Sequence, residues 1–167
     1  MVFEFLAALA GQIVGAFIGS KTKEELESGK KYFLILKNIL LGILIVFLMK
    51  LSFSGLGLLL GMVAGFVYRR EYFYFGVGAA ALMNSFNPVF PVLIFLYGLP
   101  YGTLLFKEKK LLQLGFNSLF FIVSLLVSLV YTNLTSLAAG ALITILVLNI
   151  KSEWSGKHVV SYWAWSW

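Results

Sequence analysis

The chain has 167 residues and a net charge of +6, with 60% hydrophobic and only 12% charged residues. Soluble domains contain about 25% charged residues, and we interpret this composition, with a mean hydropathy of +0.94, as excluding a water-soluble protein. At about 20 residues per span, the length accommodates about six to eight membrane-spanning helices and no separate catalytic domain.

Few residue types that support catalysis or metal binding are present. Cysteine and aspartate are absent, and His158 is the single histidine. These absences exclude most thiol, metal and proton-relay sites, so we expect no metal, no cofactor and no enzymatic activity. In a membrane protein, an excess of lysine and arginine indicates loops on the cytoplasmic side and attraction to anionic lipid. We therefore expect membrane lipid, and not nucleic acid, as a partner.

The first half of the chain predicts four helices, over residues 3–19, 33–49, 53–68 and 72–83. Glycines recur at a spacing of four in the first and third of these helices, at Gly11, Gly15, Gly19, Gly57, Gly61 and Gly65. Residues four apart share one helix face, where the backbone of a second helix can approach closely. The polar stretch 20–32 predicts a short surface helix. Lys37 lies near the start of the second helix, and we expect it to extend toward the polar surface.

The second half predicts three more helices, over residues 89–106, 111–131 and 134–150. The central stretch 84–91, which overlaps the first of them, holds two prolines and the polar residues Asn84, Ser85 and Asn87, and is either an ordinary turn or the mouth of a solute site. Pro100 removes a backbone donor inside its helix and predicts a kink there. The tail 151–167 contains all four tryptophans. Its aromatic residues predict either an anchor in the headgroup region or a docking segment.

The loops fall alternately on two sides, and one side receives 11 of the 13 basic residues, namely Lys21, Lys23, Lys30, Lys31, Arg69, Arg70, Lys107, Lys109, Lys110, Lys151 and Lys157. Basic residues accumulate on the cytoplasmic side. This predicts seven spans across the cell membrane, with the N-terminus outside and the C-terminus inside. A rival arrangement makes the fourth helix and the central stretch a re-entrant loop, which would move Lys107, Lys109 and Lys110 outside.

A weak internal repeat is visible at an offset of 87 residues, where Val2, Phe3, Leu6, Leu9, Gly11 and Gly15 match Val89, Phe90, Leu93, Leu96, Gly98 and Gly102. It would divide the single transmembrane domain, 1–150, into three helices, a linker helix and three helices, with repeats over 1–70 and 88–152. In hydropathy alone this resembles small solute carriers of the SWEET and PQ-loop type, although the sequence lacks a Pro-Gln motif.

Polar side chains within the predicted spans give the candidate site. Gln113, Asn117, Ser124 and Ser128 fall on one face of the sixth helix, as either a hydrated path or hydrogen bonds between helices. The candidate substrate-binding residues are Asn84, Asn87, Tyr97, Tyr101, Gln113 and Asn117. No carboxylate is predicted within a span, which favours passive movement over pumping.

The sequence therefore predicts an all-α, polytopic membrane bundle of about seven short spans. We interpret it as a small passive transporter or channel for a small solute. The alternative is a non-catalytic subunit or assembly partner of a larger membrane complex, because the glycine faces and the aromatic tail offer surfaces for association. In either case we expect the chain to bind further copies of itself or other membrane subunits.

Overall fold

The computed structural model describes residues 2–22, 24–51, 54–82, 88–128 and 134–154. Seven helices cover most of these residues and no strand occurs among them, which confirms the all-helical prediction. The helices are α1 (Val2–Lys21), α2 (Glu25–Leu51), α3 (Gly55–Val67), α4 (Glu71–Leu82), α5 (Val89–Lys107), α6 (Leu112–Ser128) and α7 (Thr135–Trp154).

The helix boundaries follow local chemistry. The hydroxyl of Ser54 accepts a hydrogen bond from the Gly57 amide and caps the start of α3. The polar stretch predicted as a separate surface helix is instead the first part of α2, which has 27 residues and begins at Glu25. Helix α5 runs through Pro100 as one element.

Within the described part of the chain, three helices are long and apolar enough to cross a membrane, over Ser28–Leu51, Val89–Lys107 and Thr135–Ser152. The segments Gly55–Val67 and Leu112–Leu126 are apolar but shorter. These three helices suggest a membrane location.

Helices α1 and α5 pack side by side through glycine. Gly11 and Gly15 lie against the backbone carbonyls of Phe95 and Leu99. Since the contacting residue numbers rise together along both helices, α1 and α5 run parallel. A side chain larger than hydrogen at either glycine would separate the two backbones. The predicted role of the first glycine ladder is therefore confirmed.

The second glycine ladder joins α3 to α7 in the same way. Gly61 and Gly65 lie against the backbone of Leu137 and Ala141. The Thr144 hydroxyl donates to the Met62 carbonyl at 3.1 Å, which adds a hydrogen bond between the helices. Between α1 and α5, the Thr103 hydroxyl donates a corresponding hydrogen bond of 2.9 Å to the Gly15 carbonyl.

Helix α4 lies in the interior, and every residue from 71 to 80 except Phe73 is buried. It packs against α6, where Gly76 contacts Phe121 and Ser124, and against α7. Helix α2 closes the bundle by packing against α5 and α7, with the rings of Phe47 and Phe90 stacked at 6.0 Å. This arrangement places the start of α4 among α2, α5, α6 and α7.

Candidate functional site

The hydroxyl of Tyr101 is the centre of a buried group of polar side chains. The side-chain amides of Asn117 and Gln113 donate to it at 3.2 and 3.3 Å. Tyr101 is 8% exposed and Asn117 is 2% exposed. Tyr97, one turn earlier on α5, stacks its ring on that of Tyr101 at 5.7 Å. Four predicted site residues therefore lie together where α5 meets α6.

Gln12 on α1 completes this group, which we call the amide cluster (Gln12, Tyr101, Gln113, Asn117 and Ser118). Its amide nitrogen donates to the Ser118 hydroxyl at 2.9 Å, and its oxygen accepts from Asn117 at 3.5 Å. Gln12 is completely buried. Gln12 was not among the residues predicted from the sequence, although a glutamine between two glycines of an apolar helix was an available signal.

A second group, which we call the charged cluster, consists of Lys37, Glu71 and Asn149. The Lys37 ammonium lies 3.5 Å from a carboxylate oxygen of Glu71, with the two side chains 11% and 10% exposed. The Asn149 amide donates to the same oxygen at 3.2 Å. The prediction that Lys37 extends to the polar surface is wrong, because a buried carboxylate provides its counter-charge. Glu71 is the first residue of α4, where the helix dipole favours a negative charge.

Tyr101 connects the two clusters. The Lys37 ammonium lies 5.6 Å from the centroid of the Tyr101 ring, a distance at which an aromatic face attracts a cation. The same residue accepts the amide hydrogen bonds through its hydroxyl. Polar groups from α1, α2, α4, α5, α6 and α7 therefore form one connected region.

Tyr72, Tyr97 and Tyr101, which we call the tyrosine triad, line this region. The ring of Tyr72 lies 5.4 Å from that of Tyr101 and 6.3 Å from that of Tyr97. Tyr72 and Tyr97 are 1% and 0% exposed. Within the described part of the chain, neither hydroxyl has a partner at hydrogen-bonding distance, although that of Tyr97 faces Glu71. A buried hydroxyl without a partner is costly. Each of these two hydroxyls is therefore available to form a hydrogen bond with a small polar molecule.

Asn84 and Asn87 lie outside the described residues, so their role stays a prediction. Ser124 donates to the Phe121 carbonyl of its own helix at 2.9 Å. Over the described ranges, no group of three or more histidine, cysteine, aspartate or glutamate side chains is placed to hold a metal ion.

Fold and site together define an all-helical bundle with a connected polar region in its interior. Comparisons of the chain with known protein families, with curated proteins and with solved structures find no match.

Proposed function

We propose that the chain is a multi-pass protein of the cell membrane, with seven spans, that moves a small polar solute across the bilayer. The three long apolar helices support the membrane location. Large apolar side chains on the outer face of α3 also support it, since Leu56, Leu59 and Val63 are 64% to 71% exposed and lipid would cover them. Helix α4 has only 12 residues, but its protein surroundings tolerate a short helix at membrane depth.

The observation that carries this proposal is the connected amide and charged clusters. Polar and charged groups are expensive inside a membrane and are rare there except where they serve binding or transport. Here a lysine, a glutamate and four amide side chains meet in a bundle whose buried side chains are mostly apolar. A solute that leaves water could exchange its hydration shell for these groups.

The expectation of passive movement rested on the lack of a carboxylate within a span. Glu71 weakens that premise, because it is 8% exposed and lies beside side chains of three other helices, α2, α5 and α7. Its charge is nevertheless balanced by Lys37 in the same site. A neutralised pair can bind solute without carrying a net charge across the membrane, so we retain facilitated movement as the proposal.

The test is solute uptake by liposomes that contain the purified protein. Tyr101→Phe removes the hydroxyl shared by Gln113 and Asn117 but keeps the ring, and Tyr32→Phe is the matched control because Tyr32 is 74% exposed on α2. Uptake of glycerol, urea or glycine above that of empty liposomes, reduced by Tyr101→Phe alone, supports the proposal. Equal uptake by liposomes with and without protein for all three solutes contradicts it.

The second candidate function is a non-catalytic subunit of a larger membrane complex. A specific observation favours it: a side chain at Gly42 on α2 or Gly115 on α6 would meet nothing within 4 Å. Such open small-residue positions are available to a helix of another subunit or of another copy of the chain. Mass measurement of the native assembly, extracted gently from its own membrane, distinguishes a heteromeric complex from a lone chain or homo-oligomer.

A further inference from the structure

We infer that the charged cluster and the tyrosine triad form a binding site for a small zwitterion of the α-amino acid class. This inference rests on the proposed transport function and names the chemical class of its solute. It is carried by the buried Lys37–Glu71 pair together with the hydroxyls of Tyr72 and Tyr97, for which the described residues provide no partner at hydrogen-bonding distance.

Charge balance selects the zwitterion. Lys37 and Glu71 neutralise each other in a site where both side chains are about nine-tenths buried. A ligand with a net charge would leave one buried charge without a counter-charge, which is strongly unfavourable. A zwitterion can enter between the two residues, with its carboxylate toward Lys37 and its ammonium toward Glu71. All four charges then remain paired.

The geometry of the pair suits such an exchange. Charge-assisted hydrogen bonds between an ammonium and a carboxylate are about 2.7 to 2.9 Å long, whereas Lys37 and Glu71 are 3.5 Å apart. The carboxylate is held in place from another helix by Asn149. The pair is therefore close enough to neutralise both charges but lacks the short hydrogen bond that a ligand would have to break.

The tyrosine triad supplies the remaining recognition. The hydroxyls of Tyr72 and Tyr97 can each donate to the ligand's carboxylate or accept from its ammonium. The face of Tyr101 already lies beside one ammonium, that of Lys37, and an aromatic face attracts any cation of this kind. A neutral polyol, in contrast, would find its partners in the amide cluster and would gain nothing from the ion pair.

Four probes of similar size separate these possibilities in the liposome assay. Glycine carries both charges, acetate carries the carboxylate alone, methylammonium carries the ammonium alone, and glycerol carries neither. We expect saturable glycine uptake that exceeds the uptake of acetate and of methylammonium. Each charge of glycine gains a hydrogen-bonded partner, whereas acetate and methylammonium each carry one of the two charges. We therefore expect glycine uptake to exceed that of either by about tenfold or more.

The variant Lys37→Met with Glu71→Gln removes both charges and leaves the site neutral, so that no buried charge is stranded. We expect it to lower glycine uptake about tenfold and to lower glycerol uptake by clearly less, so that the preference for glycine over glycerol falls. The matched control is Lys30→Met with Glu108→Gln, which removes two more exposed ion pairs, since Glu108 lies 3.7 Å from Lys30 and 3.0 Å from Lys110 and the three side chains are 23% to 34% exposed. That control is expected to transport glycine like the unmodified chain.

The outcomes distinguish failure of the zwitterion site from failure of the transport proposal. Glycerol uptake without a glycine preference, or uptake of acetate or methylammonium equal to that of glycine, overturns the zwitterion site and leaves the transport proposal standing. No uptake of any probe, or of urea, above that of empty liposomes overturns both. If the double variant does not fold, the thermal stability of the unmodified chain in detergent gives the answer, because glycine, but not acetate or methylammonium, is expected to raise its melting temperature.

Discussion

The Lys37 ammonium on α2 and the Glu71 carboxylate on α4 lie 3.5 Å apart in the interior of the bundle. Asn149 on α7 donates to the same carboxylate, so three helices meet at one charge pair. Because each charge depends on the other for its burial, the pair determines both how the helices are held and what the site can bind.

The first prediction concerns the loss of one member of this pair. Glu71→Gln leaves the Lys37 charge buried without its counter-charge, which costs about 3 to 5 kcal/mol. The double variant Lys37→Met with Glu71→Gln should recover most of this loss, since no charge is then stranded. Thermal unfolding in detergent measures both. If the stability loss of the double variant equals the sum of the losses of the two single variants, the two residues do not interact.

The second prediction concerns the close contact between α3 and α7. Gly61→Ala places a methyl group against the Leu137 carbonyl, and relieving the overlap should cost about 1 to 3 kcal/mol. The control is Gly42→Ala, because a methyl group there meets no atom within 4 Å. That control should be neutral or stabilise by about 0.5 to 1 kcal/mol through helix propensity. Equal melting temperatures for the two variants would contradict the packing.

The third prediction concerns the hydrogen bond between α1 and α5. Thr103→Val keeps the shape of the side chain but removes the donor to the Gly15 carbonyl. Hydrogen bonds between membrane helices contribute about 0.6 kcal/mol, with a maximum of about 1.7, so we expect a small but measurable loss of stability. Thr144→Val should have an effect of the same size between α3 and α7. A loss above about 3 kcal/mol in either variant would indicate a different role.

The fourth prediction concerns Gln12. Gln12→Leu removes a buried amide, but each of its partners keeps another bond: Asn117 still donates to Tyr101, and Ser118 still donates to the Leu114 carbonyl. Since no polar group is left without a partner, the loss of stability should stay below about 1.5 kcal/mol. Chemical denaturation in detergent tests this, and a larger loss would mean that Gln12 holds the amide cluster together.

The fifth prediction tests the proposed topology. The native chain has no cysteine, so single cysteines at Lys31 and at Lys50, both exposed, can be labelled without a background. With the N-terminus outside, a membrane-impermeant maleimide added to intact cells should label Lys50→Cys, and should label Lys31→Cys only after the cells are opened. Labelling of both variants in intact cells would contradict the alternating spans.

Much of the fold was readable in the sequence because it depends on local patterns. Apolar runs separated by short polar loops predicted an all-helical chain, which the described residues confirm, and each of the seven helices there overlaps a predicted apolar run. The spacing of Gly11 and Gly15 predicted a face for close packing, since residues four apart lie on one side of a helix whatever its partner is. The polar face of α6 was equally visible, and Gln113 and Asn117 do lie in the candidate site.

Only the tertiary structure decided which faces meet. Nothing in the local pattern around Lys37 distinguishes a lysine that reaches the surface from one that pairs with Glu71, because the relative depth and rotation of two helices are set by the packing of the whole bundle. The same holds for Gln12, whose partner Asn117 is 105 residues away along the chain. The sequence alone determined the helices and the faces they offer, whereas long-range packing decided which buried charges and amides came together, since their burial is favourable only once all partners are in place.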